Sequence, residues 1–241
     1  TIEDKANIHN LRDLQIQANN IELDTSKKLI DNYKIIAQNY HFQNKKLEKN
    51  ILKLIYTSLD STISTYGFEN KTLSNSTKIQ SYKIRLEKLH LSKLIEEQKI
   101  YGESLKIYSP NLFIDNRKNN DSIKKIDWKI LHKKIGFESF EIKNFSTNIT
   151  KKDSTNYDIS NGNLKINKFE IDTTWAWKNS FENLTINLHQ TTSNHPKKLY
   201  QTEIGHLYLN FEDSIIDIQN FRLMPTAVSY THLTLPTTPY V

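Results

Sequence analysis

The chain of 241 residues contains no cysteine, only five glycines and five prolines, and a single methionine. Without cysteine there are no disulfide staples, no zinc–thiolate centre and no cysteine nucleophile. With so few glycines, tight glycine turns are rare, and Asn, Asp and Ser must do much of the turning. Long apolar runs are missing too, since no stretch approaches the ~18 residues of a helical membrane span. No secretory leader is visible. Blocks of one charge sign are also absent. The 33 Lys and Arg outnumber 27 Asp and Glu, for a net charge of +6, and the pI is about 9.1. Yet the lysines are interleaved with Glu, Asp and Asn, and Lys27-Lys28, Lys45-Lys46, Lys124-Lys125 and Lys133-Lys134 are isolated pairs. No basic stripe results, so no nucleic-acid partner is expected.

The patterns that carry chemistry are missing as well. The histidines are His9, His41, His90, His132, His189, His195, His206 and His232, and none falls in an HExxH or comparable ligand spacing. His90 and His206 read as wet positions of strands. Asp60-Ser61 and Asp213-Ser214 have no GxSxG elbow around them and read as turns between strands. No glycine loop cradles a phosphate. Trp175-Ala-Trp177 sets two indoles on one strand face, for packing, a membrane interface or sugar stacking. Asn-x-Thr triplets at Asn70 and Asn183 follow from composition. No catalytic residue, metal or cofactor is expected, and the chain is not expected to be an enzyme.

What the sequence does contain is alternation. Hydrophobic residues make up 37% and the mean hydropathy is −0.64, polar for a globular chain but not depleted enough for disorder. Apolar residues recur at every second position: Leu14 and Ile16; Ile84 and Leu86; Leu105 and Ile107; Phe140 and Ile142; Leu164 and Ile166; Leu184, Ile186 and Leu188; Leu207 and Leu209; Ile216 and Ile218, then Phe221 and Leu223. Each such segment has one apolar and one wet face, the pattern of an antiparallel sheet rather than of a buried parallel one. Parity shifts within several segments: Leu86 is followed by Leu89 and Leu91, Ile166 by Phe169 and Ile171, Ile16 by Ile21 and Leu23. A bulge or a turn there would keep one common apolar face. Short helices are predicted over Ser92–Gln98, with Ser92 as N-cap, and over Asp121–Lys134.

The chain also repeats itself. Leu14-x-Ile16, Glu22-Leu23-Asp24-Thr25, Ile51-x-x-Leu54, Asp60-Ser61-x-Ile63 and Phe68 are matched by Leu164-x-Ile166, Glu170-Ile171-Asp172-Thr173, Ile204-x-x-Leu207, Asp213-Ser214-x-Ile216 and Phe221. From Ile51 to Phe68 and from Ile204 to Phe221 the match needs no gap. A shorter echo links Glu103-Ser-Leu-Lys-Ile107 to Glu138-Ser-Phe-Glu-Ile142. The last segment, from Val228 to about Thr238, resembles the translation of a transposon-type sequencing adapter. Residues 1–227 therefore read as natural sequence and 228–241 as a non-native tail. With Thr1 standing in mid-pattern, the parent chain is expected to be longer at both ends.

Three segments carry a family resemblance: LEKLHLSKLIEEQKIYGESLKIYSPNLFI (Leu86 to Ile114), WKILHKKIGFESFEIKNFSTNI (Trp128 to Ile149) and KKLYQTEIGHLYLNFEDSIIDIQNFRLMP (Lys197 to Pro225). The first resembles a recurring phrase of AsmA-like, TamB-related envelope proteins, the second resembles a variant of that phrase, and the third is similar to segments of large AsmA-like proteins of the Bacteroidota group. In that phrase a strand leads through a short Leu-rich turn to a strand ending in Pro and then to a further apolar strand. The resemblance covers about a third of the chain and implies a mainly β fold: a long, curled antiparallel sheet forming a groove, with one or two short helices. It also implies a periplasmic protein, anchored in the inner membrane by a segment outside this stretch. Its partner would be phospholipid or another envelope lipid, in lipid transfer and outer-membrane biogenesis. The residues expected to line the groove are Leu14, Ile16, Ile84, Leu86, Leu105, Ile107, Phe140, Ile142, Leu164, Ile166, Leu184, Ile186, Leu188, Leu207, Leu209, Ile216 and Ile218. The rival readings are a structural or adhesive β-rich surface protein with a dry sandwich core, and a carbohydrate-binding module around Trp175 and Trp177.

Overall fold

Alternating residues favour extended backbone, and extended backbone dominates. A computed structural model of the chain describes residues 2–4, 7–21, 30–72, 76–117, 134–172, 182–195 and 199–226. In chain order the elements are β1 (Ile2–Asp4), β2 (Asn7–Asn10), β3 (Asp13–Ile21), β4 (Ile30–Asn44), β5 (Leu47–Thr57), β6 (Thr62–Thr72), β7 (Thr77–Glu87), α1 (Leu91–Glu96), β8 (Lys99–Tyr108), β9 (Asn111–Asp115), β10 (Lys134–Thr150), β11 (Asn156–Asp172), β12 (Asn183–Asn194), β13 (Tyr200–Asn210) and β14 (Ile215–Pro225). All fourteen strands belong to one sheet, ordered almost as they occur in the chain. β2 and β3 both pair with β4, and β8 and β9 both lie between β7 and β10. The fold is thus mainly β, as expected.

One step is parallel, which alternation does not reveal: β8 and β9 run in the same direction as β10. Period two reports which face a residue takes, not which way a strand runs. The short sequence echo falls at this step. Ser104, Leu105, Lys106 and Ile107 stand opposite Ser139, Phe140, Glu141 and Ile142, so the repeated phrases lie side by side in register.

Helix α1 forms where expected, but Ser92 does not cap it. The N-cap is His90, with no side-chain capping bond, so the exposed His90 is not a strand residue either. The start of the helix is set by tertiary hydrogen bonds: Leu89 N–H donates to the Ser61 carbonyl at 2.9 Å and His90 N–H to the Tyr101 carbonyl at 2.8 Å. These bonds fix the backbone entering the helix without a serine. The helix expected over Asp121–Lys134 lies outside the described residues, except Lys134, which opens β10. Trp175, Trp177 and the 228–241 tail also lie outside them.

The gapless repeat is a repeat of structure. Ile51–Phe68, Leu54–Thr65, Tyr56–Ile63 and Thr57–Thr62 pair across β5 and β6. Ile204–Phe221, Leu207–Ile218, Leu209–Ile216 and Asn210–Ile215 pair across β13 and β14. Every pair recorded in one hairpin recurs in the other at a constant separation of 153 residues. Both hairpins turn through Asp-Ser, with Ser61 at φ +48° and Ser214 at +55°, so these motifs are turns, as read. β4 and β12 extend the match: Ala37–Leu54 and Gln38–Lys53 correspond to Leu188–Leu207 and His189–His206. The N-terminal part of the repeat does not hold. Leu14 faces Ala37, but Leu188, the counterpart of Ala37, faces Gly162 and not Leu164. The matching of Leu14 with Leu164 is therefore two residues out of register.

Creases cross the sheet where parity shifts. Asn39, Gly67, Ser109, Asn144, Gln190 and Asn220 have φ between +47° and +61°. Asn39, Gly67, Ser109 and Asn144 fall on one line from β4 to β10, Gln190 and Asn220 continue it on β12 and β14 after a step along β11, and Lys88 (+50°) and Lys168 (+49°) mark a second, shorter line. A left-handed residue turns the chain over, so the alternation restarts one position later. Phe169, three residues beyond Ile166, therefore stays on the apolar face, with its ring stacked on Phe140 at 4.9 Å. Likewise Phe145, three beyond Ile142, lays its ring where a Cβ of Gly162 would stand. None of the five glycines lies in a turn.

Candidate functional site

The expected apolar residues come together in rows that run across the strands. One row reads Leu14, Ala37, Leu54, Thr65, Ile84, Ile107, Ile142, Leu164, Ile186, Leu209 and Ile216, each opposite the next. A second reads Ile16, Ile35, Tyr56, Ile63, Leu86, Leu105, Phe140, Ile166 and Leu184. A third joins Leu188, Leu207 and Ile218. All seventeen residues expected to line a groove lie in these rows. At a strand spacing of about 4.8 Å, the first row is roughly 48 Å long.

This face is shielded mainly by its own neighbours. Apart from α1 against β8, the closely packed pairs of elements are all hydrogen-bonded neighbours in the sheet. Among the described residues no side chain is fully buried. Ile166 is the most buried of the seventeen, at 7% exposure, and most of the others are half-buried. Towards the two ends the face opens, with Leu14 and Ile16 at 58% and 65% and Ile216 and Ile218 at 72% and 53%. A second sheet packed on it would bury these side chains.

The opposite face is polar from β6 to β12. One residue away from the first apolar row stand Ser64, Arg85, Lys106, Glu141, Lys165 and Thr185, again opposite one another. On β5 and β4 the same row continues with Ile55 and the buried Ile36. Glu87 accepts from Lys106 Nζ at 2.7 Å and from the Ser104 hydroxyl, and Arg85 Nε lies 2.9 Å away as an ion-pair partner without a hydrogen bond. The hydrogen bonds from Lys106 and then Ser104 hold its carboxyl below the ordinary carboxylate range, against partial desolvation. Glu141 is also lowered: desolvation opposes the shift, and the Lys143 ammonium 2.9 Å away, together with the charges of Lys106 and Lys165, outweighs it. His206 lies on this face, its ring stacked on His189 at 4.8 Å and its Nε2 2.9 Å from Asn187 Oδ1. Among the described residues no three His, Asp or Glu side chains converge as metal ligands, and no helix is long and apolar enough to cross a membrane.

The creases are only partly legible in the sequence. The shifts at Lys88 and Lys168 stand where the sequence shows them. The longer line through Asn39, Ser109, Asn144 and Gln190 is not among those shifts. Its signal is a spacing of three between apolar residues, as from Ala37 to Tyr40, Ile142 to Phe145 and Ile218 to Phe221. The wet positions at the crease are exposed, among them Asn39, Leu52, Tyr82, Asn144, Gln190 and Asn220.

No family model, curated protein or solved structure matches this chain.

Proposed function

We propose that this chain is a non-enzymatic component of a bacterial envelope that holds the acyl chains of phospholipid, or of another envelope lipid, along the apolar face of its sheet. The observation that carries the reading is the row from Leu14 to Ile216, which crosses the sheet with no second layer packed on it among the described residues. An exposed apolar face of this size needs a cover. Acyl chains provide one, at about 0.8 kcal/mol for each CH₂ taken out of water. At roughly 48 Å the row is several times the ~15 Å that one leaflet contributes to a bilayer core. The site is thus a track rather than a pocket, with similar affinity along its length, as movement of lipid requires. The AsmA-like resemblance supports the same reading. It adds a periplasmic setting and an inner-membrane anchor supplied from outside this stretch. A dry sandwich core for an adhesive surface protein is less well supported, because no side chain among the described residues is fully buried.

Position-specific photo-crosslinking in bacterial cells tests the proposal. A photoreactive residue in place of Ile186 or Leu164 is expected to yield lipid adducts. The same residue in place of their outward neighbours Thr185 or Lys165 should yield few. Equal labelling from both faces, or none from either, would remove the lipid reading.

A further inference from the structure

Strand pairing gathers lysines that stand far apart in the sequence. Lys53 faces Tyr66, Tyr66 faces Lys83, Lys83 faces Tyr108 and Tyr108 faces Lys143. The cations of this row stand on β5, β7 and β10, about 10 Å apart at the usual strand spacing. Lys83 Nζ lies 5.2 Å from the centre of the Tyr66 ring and 5.7 Å from that of Tyr108, and Lys143 Nζ lies 5.9 Å from Tyr108. The row is thus one continuous cationic and aromatic strip on the face opposite the apolar rows. The row beside it adds Arg85, Lys106 and Lys165 against Glu141, with Glu87 behind them. Across the crease, Glu69 is taken up by Lys78 at 3.2 Å. Among the described residues neither Lys53 nor Lys83 is in an ion pair, so the strip presents a net positive field.

Beside these two lysines the crease carries Leu52 and Tyr82, exposed at 62% and 69%. Tyr82 is on the lysine side of the sheet, its ring edge-on to Tyr66 at 6.4 Å. Leu52 lies over Gly67, where an added Cβ would stand 2.6 Å from Leu52 Cγ. We infer that this strip docks on the surface of an anionic lipid bilayer, with its lysines among the headgroup phosphates and Leu52 and Tyr82 in the interfacial layer. Charge complementarity selects an anionic partner. The two exposed side chains select a bilayer over a soluble polyanion, because interfacial binding combines burial of apolar groups with attraction to anionic headgroups. Tyrosine suits that layer, with an apolar ring and a polar tip. Sugars or bases find less to stack on, since ammonium groups already lie over the rings of Tyr66 and Tyr108. The inference concerns the face away from the lipid track and stands whether or not that track is filled.

Vesicle flotation tests the inference. The full chain is mixed with vesicles of phosphatidylcholine alone or of phosphatidylcholine with phosphatidylglycerol, and the floated fraction is measured. The chain should float with the mixed vesicles and far less with phosphatidylcholine, and added salt should release it. A lysine near an anionic surface is worth roughly fivefold in binding, so Lys53→Gln, Lys83→Gln and Lys143→Gln together should lower partition to the mixed vesicles about a hundredfold. Leu52→Ser with Tyr82→Ser should lower it several-fold at unchanged charge. Circular dichroism checks that each variant keeps its sheet. Equal flotation with both kinds of vesicle, no flotation with either, or a lysine variant that floats like the parent overturns the inference. So does a Leu52–Tyr82 variant that floats like the parent, which would make a soluble polyanion the partner. Acyl chains held on the apolar face are indifferent to headgroup charge. A chain that carries lipid but floats equally with both vesicles would therefore overturn this inference alone and leave the lipid track standing.

Discussion

Where the long crease crosses each repeated hairpin, one of the two facing residues is glycine, and the glycine changes sides. In the first hairpin Leu52 faces Gly67, and in the second Gly205 faces Asn220. The reason is space. A Cβ added to Gly67 would stand 2.6 Å from Leu52 Cγ, and one added to Gly205 would stand 2.8 Å from Asn220 Cβ. The pair has room for one side chain. Gly67→Asn places a second one there. Asn tolerates the φ of +61° better than most residues, so the loss comes from crowding, about 2 kcal/mol by analogy with overpacked sites. The half-exposed position of Leu52 lets it give way in part and keeps the figure from rising further. Leu52→Gly alone removes a side chain that is already 62% exposed and loosens the strand, for about 1 kcal/mol. The two changes together rebuild the Gly205–Asn220 arrangement. The double variant should therefore be about 2 kcal/mol more stable than the sum of the single losses predicts. Urea unfolding followed by far-ultraviolet circular dichroism gives the four stabilities of the cycle. Simple additivity would refute the view that the crease pair is limited to one side chain.

Two further predictions concern the polar face and the second crease. Glu87→Gln should cost about 1 kcal/mol at neutral pH, because it removes a partly buried charged acceptor of Lys106 and Ser104. A carboxyl whose folded pKa is depressed stabilises the fold above its unfolded pKa, and that contribution is lost as pH falls through the folded value. The gap between Glu87→Gln and the parent chain should thus close on acidification below the ordinary carboxylate range. Urea midpoints measured across that range would show it, and a gap independent of pH would contradict the assigned partners. Lys168→Gly should be neutral or stabilising by up to about 1 kcal/mol, since relief of the left-handed backbone outweighs glycine's extra freedom when unfolded. Lys168→Val at the same φ of +49° should lose about 1–2 kcal/mol, and the order of the two midpoints is the check.

Much of this architecture can be read from residue types. Alternation assigns faces, and the seventeen apolar residues it selects fall into rows because neighbouring strands share that parity. The scarcity of glycine points to serine and aspartate for the turns, and Ser61 and Ser214 fill that role. Other features depend on information that a face pattern lacks. The parallel pairing of β8 with β10 is a matter of strand direction, and both strands alternate as antiparallel ones do. Ser92 looks like a cap, but hydrogen bonds from Leu89 to the Ser61 turn and from His90 to Tyr101 of β8 decide where α1 begins. Leu14 and Leu164 match as letters, but the register of β4 and β12 places Leu14 two residues away from that equivalence. Occupancy of the apolar face is a matter of what binds to it, and residue types alone do not supply the occupant.

That occupancy is most directly tested by extracting the purified, folded chain with organic solvent and quantifying phospholipid by mass spectrometry. A track along the Leu14–Ile216 row predicts at least one phospholipid per chain. It also predicts a marked loss when Ile142, Leu164 and Ile186 are replaced together by Asn, with the sheet retained by circular dichroism. A folded monomer that carries no lipid, before or after incubation with phospholipid vesicles, would contradict the account.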